Sequence, residues 1–186
     1  AQTPFAKVAR TRAYGAEVVL EGRNLNECEG TVNALIDARG LTLIHPYDNA
    51  LVMTGQGTVG LEMLEDEPDL DMLVVPIGGG GLIGGIATIT REMRPNIKII
   101  GVQTEAYPTM QLAIAGKEIE CGGETLAEGI AVKKPGNVTR PVVAQLVDDI
   151  ILVSERQLEW AVGALVEQQR VVAEGAGAAG IAAIYG

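Results

Sequence analysis

The most informative segment of the chain joins a continuous apolar run to a run of glycines. It reads Met72-Leu73-Val74-Val75-Pro76-Ile77-Gly78-Gly79-Gly80-Gly81-Leu82-Ile83-Gly84-Gly85. An apolar run without polar alternation is typical of a parallel-sheet strand that is covered on both faces. The glycines lead into a helical pattern that ends near Arg94 and Pro95. The segment therefore predicts a buried strand, a tight turn and a helix in direct succession.

The glycine run predicts an anion site. Because residues 78–81 lack Cβ atoms, their backbone can turn tightly and direct several N–H groups at one ligand. The N-terminus of the following helix adds about half a positive charge. A turn that only allows close packing of strand and helix is the structural alternative, but four consecutive glycines here favour a phosphate. No Gly-Lys-Ser/Thr follows, which argues against a nucleoside triphosphate loop.

A second kind of phosphate ligand also fits the glycines. Gly79, Gly81 and Gly84 match the spacing GxGxxG, and Glu105 follows the next predicted strand. In dinucleotide-binding domains these glycines approach the pyrophosphate, and an acidic residue at about this distance binds the ribose hydroxyl. A domain that binds a nicotinamide cofactor therefore stays open as an alternative.

The alternation of strand and helix continues on both sides of the glycines. Strands are predicted at residues 17–20, 41–44, 72–77, 98–102 and 149–153. Further helices are predicted at residues 26–39, 58–67 and 108–115, from Thr139 as a cap, from Ser154 with Gln157 as a capping box, and at residues 174–184. This order predicts an α/β fold with an open parallel sheet and helices on both faces. Residues 1–48 are predicted as a βαβ-like piece, and residues 47–58 as a hinge.

Composition narrows the classes of protein. The chain has 186 residues, of which 47% are hydrophobic, and a formal net charge of −10. The hydrophobic fraction excludes a disordered coil, and no apolar stretch approaches the ~20 residues that a bilayer helix needs. The negative charge repels phosphate backbones, so a nucleic acid is not predicted as a partner. Because no apolar stretch is long enough to span a bilayer, a membrane is not predicted as a partner either.

The scarce residue types and the ends of the sequence carry further expectations. Two cysteines are too few for a disulfide framework, and without a secretory signal they predict a reducing cytoplasm. The single histidine, His45, leaves no room for a histidine-rich metal site and is predicted to end a strand rather than to catalyse. The chain begins Ala1-Gln2-Thr3-Pro4 and ends in an apolar run, so both ends are expected to be cuts through a larger fold.

Four motifs together resemble one enzyme family. In chain order they are Gly55-Gln56-Gly57-Thr58, Val74-Val75-Pro76-Ile77-Gly78-Gly79-Gly80-Gly81-Leu82, Ala127-Glu128-Gly129-Ile130-Ala131-Val132 and Ala173-Glu174-Gly175-Ala176-Gly177-Ala178. The chain resembles threonine dehydratase (threonine ammonia-lyase) and the related serine dehydratases and serine racemases, which are pyridoxal-phosphate enzymes of fold type II. The resemblance covers essentially the whole sequence.

The resemblance implies a cofactor, a reaction and a site. Pyridoxal 5′-phosphate would serve in the elimination of water from L-threonine or L-serine, which yields a 2-oxoacid and ammonia. The residues that the resemblance places at the cofactor phosphate are Gly78, Gly79, Gly80, Gly81 and Leu82; those beside its ring are Glu128 and Gly129; and Glu174 lies on its pyridine side. It also implies that residues 1–48 are the second part of a small domain and residues 49–186 most of a large one. A homo-oligomer and a role in amino-acid metabolism, with isoleucine biosynthesis as its setting, are implied as well.

The sequence departs from the family in ways that affect catalysis. In the family the Schiff-base lysine lies in a Ser-Phe-Lys type motif upstream of the matched region, and none of the chain's five lysines has that context. They are Lys7, Lys98, Lys117, Lys133 and Lys134. The Ser-x-Gly-Asn-His type loop and the serine or cysteine that faces the pyridine nitrogen are also missing. No catalytic residue is therefore assigned, and the chain alone is not expected to turn over threonine.

Two further expectations follow from the resemblance. Some relatives bind a divalent cation through an acidic residue at the position of Gln103, with Glu105 nearby. Because a neutral amide is a poor anchor for a hard cation, no metal is assigned. A non-catalytic fragment that needs a partner to supply the missing part is a further alternative, and its uncovered apolar edges would favour self-association.

Overall fold

A computed structural model describes residues 3–22 and 25–185. The chain divides into two compact units, residues 1–44 and residues 45–186. The assignment of these parts to a small and a large domain stays a prediction. No helix of the described residues is long and apolar enough to cross a bilayer.

The first unit contains helix α1, Phe5–Ala13, and helix α2, Leu25–Arg39. Gly40 ends α2 with a positive φ of 62°, as predicted. The predictions of strands at residues 17–20 and 41–44, and of a βαβ-like piece, are wrong: neither segment is a strand. A strand needs a neighbour for its ladder of hydrogen bonds, and among the described residues neither segment has one. A run of β-branched residues favours a strand, but it does not determine whether another strand lies beside it.

The second unit holds the sheet. Its helices and strands are α3 (Ala50–Asp66), β1 (Met72–Pro76), α4 (Gly81–Met93), β2 (Lys98–Thr104), α5 (Thr109–Ile114), a 3-10 turn (Glu128–Ile130), α6 (Thr139–Leu146), β3 (Asp149–Val153), α7 (Glu155–Ala164), a π-helical turn (Leu165–Gln169) and α8 (Gly175–Tyr185). The strands are parallel in the order β1-β2-β3. Met72 pairs with Lys98, and Ile100 pairs with Asp149.

Apolar cores lie on both faces of this sheet. On one face Leu73, Val75 and Ile99 pack with residues of α3, α4 and α6. On the other face Val102 and Val153 pack with residues of α7, α8 and the 3-10 turn. Because successive side chains of a strand point to opposite faces, a strand covered on both sides is apolar throughout. The predicted α/β fold with helices on both faces is confirmed.

Helix α3 begins earlier than the sequence indicated. Asn49 caps it by accepting hydrogen bonds from the N–H groups of Leu51 (2.9 Å) and Val52 (3.2 Å). The prediction of a hinge over residues 47–58 is therefore wrong for most of that range. The glycines of the Gly-Gln-Gly-Thr motif disguise the helix, since glycine weakens a helical pattern. Gly57 instead faces α4, where an added Cβ would lie 3.2 Å from the carbonyl oxygen of Gly85.

The predicted start of α7 is confirmed. The Ser154 N–H donates to Oε1 of Gln157 (2.8 Å), and the Gln157 N–H donates to Oγ of Ser154 (3.4 Å). These reciprocal bonds form a capping box.

Candidate functional site

The glycine loop, residues 78–81, lies at the carboxyl edge of the sheet. The chain leaves β1 through Ile77, whose N–H donates to the carbonyl oxygen of Val102 over 2.7 Å. Gly80 then adopts a left-handed conformation, with φ of 96°, and α4 begins at Gly81. A residue with a Cβ is strained in that conformation. The chain can turn at this edge because residue 80 is a glycine. Ligands of open parallel sheets bind at the carboxyl ends of the strands, where this turn lies.

The loop presents backbone donors that lack partners. Within the described part of the chain, the N–H groups of Gly79, Gly80, Gly81 and Leu82 make no hydrogen bond, and no side chain caps α4. Gly79, Gly80 and Gly81 are buried, and Gly78 is partly buried. Buried donors without acceptors are costly, so such groups call for a ligand or for water. Together with the positive end of α4, they form a cradle that suits a phosphate dianion without a basic side chain.

The walls of this cradle explain why its residues are glycines. A Cβ on Gly79 would overlap the ring of Tyr47, and one on Gly80 would lie 2.7 Å from Oγ1 of Thr139. A Cβ on Gly78 would lie 3.0 Å from Cγ2 of Val132. The loop is therefore enclosed on several sides, and its shape leaves no room for side chains.

The other motifs pack next to the glycine loop. The carbonyl oxygen of Gly129 lies 3.4 Å from the Cβ position of Gly78. A Cβ on Gly129 would lie 3.0 Å from Cβ of Ala176, and one on Gly175 would overlap the carbonyl oxygen of Leu126. The structure thus brings the glycine loop, the Ala-Glu-Gly motif and the Glu-Gly-Ala-Gly motif together at one edge of the sheet.

The remaining predicted site residues occupy different surroundings. Leu82 packs its side chain against the core that includes Ile83 and Ile86, so only its backbone N–H is available at the loop. Glu128 opens the 3-10 turn and is exposed. Glu174, which directly precedes α8, is exposed as well.

Tyr47 and Asp48 line the site although the sequence did not single them out. The Tyr47 hydroxyl donates to the carbonyl oxygen of Lys134 (3.0 Å), and burial, with the charge of Asp48 adding to it, raises the pKa of the Tyr47 phenol. Nδ1 of His45 accepts the N–H of Asp48 (2.8 Å) and organises this turn. The end of the apolar run at His45-Pro46 indicates a turn in the chain. No periodicity of the sequence predicts that this turn packs against the glycine loop.

Thr139 has a role that differs from the predicted one. Its hydroxyl does not cap α6 but donates to the carbonyl oxygen of Gly79 over 2.5 Å, and its side chain is fully buried. Asp48 instead holds the residues just before α6, because its carboxylate accepts the N–H groups of Asn137 (2.9 Å) and Val138 (2.7 Å). Pairing with a residue so distant in sequence cannot be read from a local pattern.

Gln103, at the position considered for a cation, is a buried structural amide. Its Nε2 donates weakly to the carbonyl oxygen of Ile77 (3.4 Å), and its Oε1 accepts the N–H of Gln111 (3.0 Å). Over residues 3–22 and 25–185, no three His, Cys, Asp or Glu side chains are grouped as metal ligands.

Fold and site together define a class: an α/β protein with a glycine loop for a phosphate at the carboxyl edge of a parallel sheet. Residues 1–186 match the family described as pyridoxal-phosphate dependent enzyme, and the chain belongs to that family. The recognition of fold type II from the sequence motifs is thereby confirmed, as is pyridoxal phosphate as the cofactor of the family.

Individual relatives refine this result. The chain is 49% identical to an L-threonine ammonia-lyase of Geobacter sulfurreducens over 98% of its own length and 46% of the relative. It is 46% identical to the catabolic L-threonine dehydratase TdcB of Escherichia coli, over 97% of the chain and 56% of the relative. Thus the chain spans about half the length of the curated relatives that it matches.

Solved structures agree with the sequence relatives. A threonine deaminase from T.th. superposes with a TM-score of 0.90 at 36% identity, covering 98% of this chain and 61% of that one. Maize serine racemase superposes with a TM-score of 0.89 at 34% identity, covering 96% and 56%. These comparisons do not support the alternatives of a nicotinamide-binding domain or of a non-catalytic fragment.

Proposed function

We propose that this chain forms the phosphate-binding part of a pyridoxal-phosphate-dependent ammonia-lyase. Its substrate would be L-threonine or L-serine, and the products would be a 2-oxoacid and ammonia. The observation that carries this proposal is the row of unpaired N–H donors from Gly79 to Leu82, within the described residues, at the start of α4. The names of the relatives support the reaction, since they include threonine ammonia-lyases and a threonine deaminase.

The residue assignments form part of the proposal. Gly78, Gly79, Gly80, Gly81 and Leu82 bind the cofactor phosphate through backbone N–H groups. Glu128 and Gly129 line the cofactor ring, and Glu174 lies on its pyridine side. Support comes from packing, because an added Cβ on Gly78 or Gly129 would contact the next of these motifs.

The chain's own groups bind and orient. When bound, pyridoxal phosphate supplies an electron sink for the charge that develops at the substrate Cα. Backbone N–H groups donate hydrogen bonds to the phosphate from one side. The geometry of the backbone therefore fixes the orientation of the phosphate. Burial of Gly80 and Gly81 keeps water from competing for those donors. No lysine of this chain is assigned to the chemistry, and we propose that the chain by itself does not deaminate threonine.

Substrate choice and setting belong to the same proposal. Relatives named for threonine and for serine both match, so the printed names support hydroxy-amino acids as a class. The Escherichia coli relative is named catabolic, which supports a general role in amino-acid metabolism rather than isoleucine biosynthesis. A cytoplasmic location is proposed from the cysteine count.

Association is proposed as well. In the described sheet β2 is central, which leaves β1 and β3 at the edges. Unpaired edges template pairing with another chain, so we propose a homo-oligomer or association through these edges. Sedimentation velocity tests this point, and a monodisperse monomer contradicts it.

The test of the cofactor site compares two glycines that share a left-handed backbone. Gly80→Ala introduces a Cβ 2.7 Å from Cε of Met110 and from Oγ1 of Thr139, whereas Gly116→Ala, at φ of 64°, meets no atom within 4 Å. Both variants carry the strain of positive φ, about 1 kcal/mol. We expect Gly80→Ala to weaken binding of pyridoxal phosphate at least tenfold by calorimetric titration, and Gly116→Ala to bind as the parent chain does. Parent protein that binds NAD but not pyridoxal phosphate contradicts the proposal.

A further inference from the structure

The clamp segment, residues 134–139, holds the glycine loop at one atom. The carbonyl oxygen of Gly79 accepts two hydrogen bonds, from the N–H of Gly136 (3.2 Å) and from the hydroxyl of Thr139 (2.5 Å). Thr139 is fully buried, so bulk water does not compete for the hydrogen bond of its hydroxyl. One loop carbonyl is thus fixed by two donors from a segment about 60 residues later in the chain.

Fixing this carbonyl also fixes a proposed phosphate donor. The Gly79 carbonyl and the Gly80 N–H belong to one planar, trans peptide group, in which C=O and N–H point in opposite directions. The carbonyl points to Thr139, so the Gly80 N–H points away from the clamp segment. Glycine has little intrinsic preference to hold such a peptide in place, because its backbone is the most permissive. The orientation therefore depends on the clamp segment.

Asp48 holds the clamp segment in turn. Its Oδ2 accepts the N–H of Asn137 (2.9 Å) and its Oδ1 accepts the N–H of Val138 (2.7 Å). A carboxylate at the N-terminus of α6 is also favoured by the helix dipole. Gly136 is required between these groups, since a Cβ there would lie 2.5 Å from Oδ1 of Asp48. A chain of contacts thus leads from Asp48 through the clamp segment to Gly79.

Titration of Asp48 agrees with this arrangement. Burial opposes ionisation of its carboxyl group, but the N–H groups of Asn137, Val138 and Thr139 outweigh burial, with a contribution from His45. The pKa of Asp48 consequently lies below its ordinary value. The carboxylate is therefore charged, and a full acceptor for the clamp segment, at neutral pH.

We propose that Asp48 and Thr139 are positioning residues for the phosphate site, which orient the glycine-loop N–H groups without touching the cofactor. This inference rests on the proposed function, because it takes the phosphate as the ligand of the loop. It assigns to Asp48 and Thr139 a share of the selectivity for a phosphorylated cofactor. A purely structural role would change stability but leave that selectivity intact.

The experiment measures selectivity rather than affinity alone. Dissociation constants for pyridoxal 5′-phosphate and for pyridoxal are determined by calorimetry, and their ratio reports the phosphate contribution. Thr139→Val removes the hydroxyl at nearly constant shape, and Asp48→Ala removes both acceptors. We expect each to reduce the preference for the phosphorylated compound about tenfold or more, as for loss of a hydrogen bond to a charged group. A ³¹P chemical shift of the bound phosphate that differs from the parent's is expected as well.

Conservative variants and a matched control keep the test decisive. Thr139→Ser retains the hydroxyl and should restore the preference, and Asp48→Asn, which keeps one acceptor oxygen, should lie between parent and Asp48→Ala. Asp69→Asn removes an exposed carboxylate that precedes β1, at the opposite end of that strand from the glycine loop, and should leave the ratio unchanged. If Asp48→Ala does not fold by circular dichroism, Thr139→Val and Asp48→Asn carry the comparison.

The possible failures are distinguishable. A parent chain without preference for the phosphorylated compound overturns the proposed function and this inference with it. A parent with that preference, shared unchanged by folded Thr139→Val and Asp48→Asn or Asp48→Ala, overturns only the positioning role. Restoration by Thr139→Ser supports it, and a loss that persists in Thr139→Ser contradicts it.

Discussion

Single peptide groups, rather than charged side chains, form the proposed phosphate cradle. This is consistent with the composition, since the 24 Asp and Glu residues outnumber the 14 Lys and Arg residues and give a formal net charge of −10. Backbone donors at a helix N-terminus supply attraction without adding a titratable group. The consequence is that residues which do not touch the ligand, such as Thr139, acquire influence by orienting peptides.

A charged pair away from the site provides a prediction about acid stability. Oδ2 of Asp148 accepts the N–H of Ile99 (2.7 Å) and Nη2 of Arg91 (2.6 Å). The backbone N–H of Ile99, which outweighs the opposing effect of burial, and the guanidinium of Arg91 hold the pKa of Asp148 below its ordinary value. Because the carboxyl is partly exposed, Asp148→Asn should lower the free energy of unfolding by only about 1 kcal/mol at pH 7.

The sign of the pH effect follows from the direction of that shift. A carboxyl whose pKa is lower in the folded state stabilises the fold above its unfolded pKa, about 3.9, and this stabilisation is lost as the pH falls through the folded pKa. Urea unfolding at pH 7, 5 and 3 should therefore give a difference between parent and Asp148→Asn that shrinks at pH 3. Asp69→Asn, at an exposed position, should follow the parent at each pH. An undiminished difference at pH 3 would refute this explanation.

Among the helices, α3 and α4 approach each other closely because glycines line their contact. A Cβ on Gly85 would overlap the carbonyl oxygen of Met53 and lie 2.6 Å from the N–H nitrogen of Gly57. Both neighbours are backbone atoms, so they can give way only if a helix moves. Gly85→Ala should therefore destabilise the protein by about 1–3 kcal/mol, as overpacking does.

Gly55→Ala is the matched control for that substitution. Gly55 lies in α3 with no atom within 4 Å of its Cβ position. Alanine there should raise the free energy of unfolding by up to about 1 kcal/mol, because it favours the helix without a clash. Urea titration of both variants measures whether each substitution raises or lowers the free energy of unfolding. Equal stabilisation by both would mean that helix propensity, and not close packing, governs this pair.

Elements with a strong local pattern were predictable from the sequence, and others were not. The apolar run of β1 and the Ser154–Gln157 capping box are local, and both lie at the expected places. The segments at residues 17–20 and 41–44 carry a strand pattern but have no pairing partner in the described sheet. The start of α3 was missed because the glycines of this helix, one of which contacts α4, lower the helical signal.

The candidate site also combines features that the sequence predicts with features that it does not. The glycine loop is recognisable from composition, and the motifs around Gly129 and Gly175 follow from the resemblance. The bonds from Asp48 to Val138 and from Thr139 to Gly79 join residues 90 and 60 positions apart. Such pairings depend on the tertiary fold, and no spacing rule for a single element contains them.

For the whole molecule, the positions of the lysines decide whether this chain can hold the cofactor covalently. Lys98 begins β2 and pairs with Met72, six residues before Gly78, or roughly 20 Å from the glycine loop at about 3.3 Å per residue. Lys133 and Lys134 are exposed, although the carbonyl oxygen of Lys134 accepts the Tyr47 hydroxyl near the loop. Proximity without burial gives these two amines no environment that would activate them as nucleophiles.

Pyridoxal phosphate should accordingly bind through its phosphate without labelling one lysine stoichiometrically. The chain is saturated with the cofactor, reduced with borohydride, digested and mapped by mass spectrometry, with pyridoxal as a control for labelling that does not depend on the phosphate. We expect weak label spread over exposed lysines, and no 2-oxobutanoate from threonine. Stoichiometric label at Lys133 or Lys134, lost in Gly80→Ala, would contradict this expectation, because the phosphate site would then direct the aldehyde to that amine. Label that Gly80→Ala leaves unchanged would be surface chemistry, since only a lysine served by the glycine loop can depend on the loop's shape.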